Sequence, residues 1–198
     1  EATVYNLLVL IAHDEGQLDS ALAYFDKSLK LREDINDKVR IASTLGNIGF
    51  TLRMQGKPKQ AIEYVTRAND FMISQNNLEG QAWTNEFLGR LYIDVGNLTM
   101  AQRYLDLAEQ QAREVKAMPI LQNIFQAKAE YFEKKADVNK SLMFYKMYVS
   151  LHDSIYSATL TDRLVNLQNQ FQVLQKDKQI ELLNREREWK ERELEINK

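Results

Sequence analysis

Residues 47–68 read NIGFTLRMQGKPKQAIEYVTRA, and the glycine–proline pair in the middle decides the fold. Gly56 and Pro58 separate two runs in which apolar residues recur at helical spacing. A glycine can take the left-handed conformation that ends a helix and lets the chain reverse. A proline two residues later suits the first turn of the next helix, where its missing N–H costs little. The stretch is therefore the turn of a helix hairpin. Forty residues in either direction the same pattern returns: Gly16, Gly56 and Gly96, with Ala136 as fourth member. In the same register stand Ala21, Ala61, Ala101 and Ser141; Tyr24, Tyr64, Tyr104 and Phe144; and Phe25, Val65, Leu105 and Tyr145. A looser column of small residues runs Val9, Gly49, Gly89, Ala129. Small side chains let the two helices of a hairpin approach closely, and the aromatic columns fill the space between successive hairpins. No hairpin buries its apolar face alone; stacking does so. The spacing predicts helices over 2–14, 18–33, 38–54, 58–75, 79–95, 98–116, 119–134 and 138–156.

Composition agrees with an all-α protein. Seven glycines and two prolines occur in 198 residues, and neither type follows Pro119. A net charge of −2 gives no reason to expect nucleic acid as a partner of this chain. Absence of cysteine removes disulfides and thiolate metal sites but fits a reducing or an oxidising compartment equally. The opening EATVYNLLVLIA reads as the middle of an amphipathic helix, so the sequence is expected to belong to something longer.

The stretches at 47–68 and at 86–108, EFLGRLYIDVGNLTMAQRYLDLA, resemble the tetratricopeptide repeat (TPR) family in a form with forty residues per unit. Gly49, Gly56, Ala61 and Ala68, then Leu88, Gly89, Tyr92, Gly96, Ala101 and Ala108, carry the resemblance, which extends over roughly residues 1–156. Repeat four departs at Ala136, in place of the turn glycine, and at Tyr148, in place of the last alanine. The resemblance implies a right-handed α-α superhelix, a TPR solenoid of four hairpins over 1–157, whose first helix of each hairpin lines a concave groove that holds a peptide or protein. Groove candidates are then Asn6, Leu10 and His13; Asn47, Phe50 and Arg53; Trp83, Glu86, Phe87 and Arg90; and Asn123, Gln126 and Glu130. Asn47 is the most suggestive, since its amide can both donate to and accept from an extended backbone. Family members that clamp a C-terminal carboxylate use basic side chains at positions that fall here on Asn6, Leu10, Asn47, Trp83 and Phe87, so such a clamp is not expected. For Trp83 and Phe87 packing between repeats is the simpler role; for Arg53 and Arg90 a solvated face or a local ion pair competes evenly with ligand contact.

No catalytic constellation, cofactor motif or metal-ligand spacing is present. The two histidines, His13 and His152, are far apart in the repeat order, and His152, Asp153 and Ser154 are helix neighbours that point in different directions and cannot form a triad. GNIG at 46–49 lies mid-helix, where glycines serve close packing rather than a nucleotide. The fragment reads as non-enzymatic, with no cofactor.

Residues 158–198 form a second part. Thr159 or Thr161 could cap a fifth helix, and Leu160, Leu164, Leu167, Phe171 and Leu174 follow at spacings that suit a cap on the open end of the solenoid. Beyond it Leu174, Leu182, Trp189 and Ile196 suggest a thin coiled-coil seam with a phase shift near Lys176–Gln179. A helix of that length is unstable alone, so a homodimer through this stalk is expected. YKMYVSLHDSIYSATLTDRLVNLQNQFQVLQKDKQIELLN resembles the segment that follows the repeats in Bacteroidetes sensor proteins. That resemblance implies a signalling stalk leading to a membrane span after Lys198 and then a histidine kinase or helix-turn-helix regulator. It implies in turn a periplasmic sensor domain of an inner-membrane protein. The alternative is a cytoplasmic adaptor or scaffold that dimerises or docks through its last helix.

Overall fold

The computed structural model describes residues 17–35 and 37–196, except for the side chains of Val39 and of parts of the last helix. Every described element is a helix: α1 (Leu18–Asp34), α2 (Lys38–Met54), α3 (Pro58–Ser74), α4 (Leu78–Asp94), α5 (Leu98–Glu114), α6 (Met118–Lys134) and α7 (Val138–Ile196). The expected helix at 2–14 and the turn at Gly16 lie outside the described residues. The other boundaries agree with the sequence reading to within about two residues, except the end of the last helix. The chain divides into two units, Glu1–His152 and Asp153–Lys198.

In the first unit α1 to α6 are each 17 residues long and begin every twenty residues. One turn produces this regularity. Gly56 (φ 72°), Asn76 (51°), Gly96 (78°), Lys116 (55°) and Ala136 (57°) all stand in the left-handed region. At Gly56, the Lys57 N–H reaches back to the Leu52 carbonyl and the Gly56 N–H to the Arg53 carbonyl, both at 2.9 Å, which satisfies carbonyls that a helix end would otherwise leave unpaired. After Asn76, Gly96 and Ala136 the next residue caps the following helix through its side chain, whereas Lys57 and Ala117 hold that position without one. Asn77, Asn97 and Asp137 accept the N–H of Gly80, Met100 and Lys140, as Asp37 accepts that of Arg40. Ala136 therefore makes the same tight turn as the glycines, with the Asp137 N–H 2.9 Å from the Phe132 carbonyl.

The small columns pack as their spacing demands. A Cβ on Gly49 would overlap Val65 and lie 3.4 Å from the Ala61 carbonyl; one on Gly89 would lie 2.6 Å from Leu105. Ala21, Ala61 and Ala101 are fully buried at the facing positions. From α1 to α6 each helix packs on the next, and α4 also packs on α6, so these first helices of successive hairpins lie in one layer. The core runs through both layers, with Leu45, Ile48, Val65, Leu88 and Leu91 at or below 2% exposure. Phe144 of α7 closes the last hairpin by stacking on Phe132, ring centroids 5.5 Å apart.

The tail differs from expectation. A break near residue 157 with a new helix start at Thr159 or Thr161 is absent: α7 is one helix from Val138 to Ile196. A Ser or Thr stabilises a helix start only where the chain has already left the helix, and no described residue after Ala136 takes the left-handed conformation that ends the earlier helices.

Candidate functional site

Helices α2, α4 and α6 present their solvent-facing sides to one cleft of about 290 Å³. Asn47, Phe50 and Arg53 enter it from α2, Trp83, Glu86, Phe87 and Arg90 from α4, and Asn123 and Gln126 from α6. Three- and four-residue spacing places these groups on one helical face, and the forty-residue register aligns the three faces. Glu130 lies at the edge of a neighbouring recess of about 350 Å³ between α6 and the start of α7, which shares Gln126. Asn6, Leu10 and His13 lie outside the described residues. The stalk positions Leu174, Leu182, Trp189 and Ile196 fall within α7, but their side chains are not among those described.

The aromatic floor is built by the packing of α2 on α4. Gly46 leaves room for the Trp83 indole, which lies where a Cβ would otherwise be. Trp83 and Phe87 ring centroids are 6.1 Å apart, and Phe50 and Phe87 are 6.4 Å apart. Phe87 is buried and belongs to the core, whereas Phe50 remains 48% exposed. Trp83 is half-buried. The exposed residues Asn47 and Asn123 stand on the flanking helices.

Both cations of the cleft are held by carboxylates. Arg90 donates from Nε to Glu86 and from Nη1 to Glu130 at 3.2 and 3.3 Å, while its Nη2 donates to the Asn123 carbonyl at 2.8 Å and lies 3.4 Å from Gln126 Oε1. Arg53 makes a two-pronged pair with Asp94 of α4, which raises the Arg53 pKa through that hydrogen bond. Asp94 escaped the sequence reading. Its signal was arithmetic, since it stands forty-one residues after its partner, as Glu130 stands forty after Arg90. Burial raises the Glu86 carboxyl above its ordinary pKa even though Arg90 pulls the other way. No group of three or more His, Asp or Glu that could hold a metal occurs among the described residues. No described helix is long and apolar enough to cross a membrane.

Residues 1–72 match the family model of the tetratricopeptide repeat. That stretch has the tetratricopeptide-repeat pattern. The repeat packing extends through α6 and the start of α7, and solved structures share it. Against BtubC (BKLC) from P. vanneervenii the TM-score is 0.66 at 16% identity, covering 78% of this chain and 64% of that one. Against aspartyl phosphate phosphatase F from Bacillus subtilis the TM-score is 0.62 at 15% identity, covering 76% and 49%. Against a Rap protein complexed with Competence and Sporulation Factor it is 0.60 at 15% identity, covering 79% and 53%. At these identities the likeness is one of fold, and the chain spans less than two thirds of each of the three. No curated protein sequence matches it.

Proposed function

We propose that the cleft on α2, α4 and α6 binds an extended segment of a peptide or protein through an apolar anchor residue and backbone amide contacts. The observation that carries this is the arrangement around Phe50: an exposed ring that meets Phe87, itself against the Trp83 indole, in a cleft that also holds Asn47 of the same helix and Asn123 of α6. Exposed aromatic surface with adjacent amides suits a peptide side chain and its backbone. With Arg53 and Arg90 already paired, the cleft favours an internal segment over a free C-terminal carboxylate. A Rap protein of the same fold holds a factor in its solved complex, which is consistent with ligand binding on such a scaffold.

The likeness of residues 145–184 to the post-repeat segment of Bacteroidetes sensors supports a wider role. In that reading the chain is the extracytoplasmic sensing module of a signal-transduction protein, a two-component histidine kinase or a regulator, and α7 carries the signal to the output domain. The test of binding is selection of random twelve-residue peptides displayed on phage, with the Phe50→Ala and Asn47→Ala chains as counter-selection. Peptides enriched on the native chain should bind each variant at least tenfold more weakly by fluorescence anisotropy, with helicity unchanged. If every enriched peptide binds the variants equally, the cleft is not the binding site.

A further inference from the structure

We infer, resting on the peptide-binding role proposed for the cleft, that the segment it holds carries an arginine or lysine whose side chain occupies the recess between α6 and the start of α7. The recess adjoins the cleft at Gln126, which lines both. Its walls include Glu130 and Glu133 of α6 and Val138, Leu142 and Tyr145 of α7. Gln126, Glu130 and Glu133 follow one another at spacings of four and three residues, as do Val138, Leu142 and Tyr145, so each set shares one helical face.

The charges along this surface do not balance. Arg53 is paired with Asp94 and Arg90 with Glu86, which leaves the recess lined by the carboxylates of Glu130 and Glu133 and by no cation. Glu130 also accepts from Arg90, at 3.2 and 3.3 Å, but a carboxylate offers about four lone-pair sites, and with its side chain 38% exposed it can take a second donor. Glu133 is exposed and makes no ion pair with a described residue.

The preceding hairpin shows what an apolar occupant of the same register looks like. There the positions of Glu133 and Tyr145 hold Ile93 and Leu105, 6% and 1% exposed in a cluster with Ala127 and Tyr131 of the next helix. A further apolar helix laid on the recess in that way would strip the Glu133 carboxylate of water and give it no partner. An arginine or lysine brings the partner with it. Its methylene stem can lie along Val138 and Leu142, both more than half exposed, while its head reaches the two carboxylates and the Tyr145 ring. The recess is one to two helix spacings from the aromatic floor of the cleft. At roughly 8–10 Å between packed helices and about 3.3 Å per residue of an extended segment, the basic residue stands about three to six residues from the apolar anchor.

Two phage libraries of twelve-residue peptides, one complete and one without arginine and lysine, are selected on the full chain. Each enriched peptide is then measured by fluorescence anisotropy against the native, Phe50→Ala and Glu133→Gln chains. Phe50-dependent peptides from the complete library should carry an arginine or lysine at that spacing and bind Glu133→Gln about fivefold more weakly, a difference that shrinks at high salt. Replacing the basic residue by norleucine should weaken binding to the native chain by at least as much and to Glu133→Gln by less. Phe50-dependent peptides of equal affinity from the library without basic residues would overturn the inference and leave the cleft as the binding site. So would basic peptides that bind the native and Glu133→Gln chains alike. Enrichment of aspartate and glutamate would overturn it too, since Arg53 would then be exchanging Asp94 for the peptide. If no selected peptide depends on Phe50, the cleft is not the binding site and the inference falls with it.

Discussion

Replacing Arg90 by methionine tests the electrostatic account of the cleft, because the consequence depends on pH in a direction the structure dictates. The Arg90 and Glu86 side chains are 13% and 7% exposed, so the substitution leaves a buried carboxylate without its principal partner. Losing one member of a buried pair costs about 3–5 kcal/mol. Glu130, with its side chain 38% exposed, behaves as a surface partner worth about 1 kcal/mol or less, which places the estimate near the lower limit, about 3 kcal/mol. Burial already raises the Glu86 pKa, and Arg90 opposes it, so removal raises it further. An acid with a raised folded pKa binds its proton in the native state at pH values where the unfolded chain has released it. Its destabilisation is absent below the unfolded value near 4.5 and grows as pH rises, until the folded group also ionises. At about 1.4 kcal/mol per pH unit, a deficit of about 3 kcal/mol develops over roughly two units. Urea denaturation followed by circular dichroism should show Arg90→Met within about 1 kcal/mol of the native chain at pH 4.5 and about 3 kcal/mol weaker at pH 7. Adding Glu86→Gln should remove most of the pH dependence. An equal deficit at both pH values, or one below about 1 kcal/mol at pH 7, would refute the reasoning.

Ala136→Gly relieves an L-residue held at φ 57° in a turn whose hydrogen bonds are already made, and should stabilise the chain by roughly 0.5–1 kcal/mol after the added freedom of the unfolded state is subtracted; thermal denaturation gives the sign directly. Gly46→Ala places a methyl group where the Trp83 ring lies, so the indole should move toward the cleft and solvent. In a Trp189→Phe background its emission should shift to the red, while stability changes by less than about 1 kcal/mol because the helix-propensity gain offsets the displaced packing.

The hairpins were legible because close approach restricts which residues fit. Gly49 and Gly89 meet Val65 and Leu105 at distances that exclude a Cβ, and such a constraint leaves a periodic trace in the sequence. The turns between hairpins were less visible, since Asn76 and Lys116 adopt the left-handed conformation without glycine. At Asn76 the trace lies one residue later, in Asn77, whereas Ala117 after Lys116 leaves none. Asp37, Asn77, Asn97 and Asp137 recur as helix caps at multiples of twenty residues, and a search for them would have exposed the period of the helix starts, although Lys57 and Ala117 hold the same position without a side-chain cap.

The cleft divided along a similar line. Register alone brought Asn47, Phe50, Trp83 and Asn123 onto one surface, because the face a residue occupies follows from its position in the helix. What each side chain does there depends on neighbours from other repeats. Arg53 and Arg90 look alike as groove cations in the sequence, yet Arg53 joins Asp94 with both side chains about a third exposed, while Arg90 reaches into a largely buried cluster. Water screens the first pair, so an approaching anion could exchange with Asp94 at little cost. Exchange at Arg90 would strand Glu86 in the interior. The two arginines are therefore unequal as ligand contacts, and the difference arises from desolvation, which has no periodicity to read.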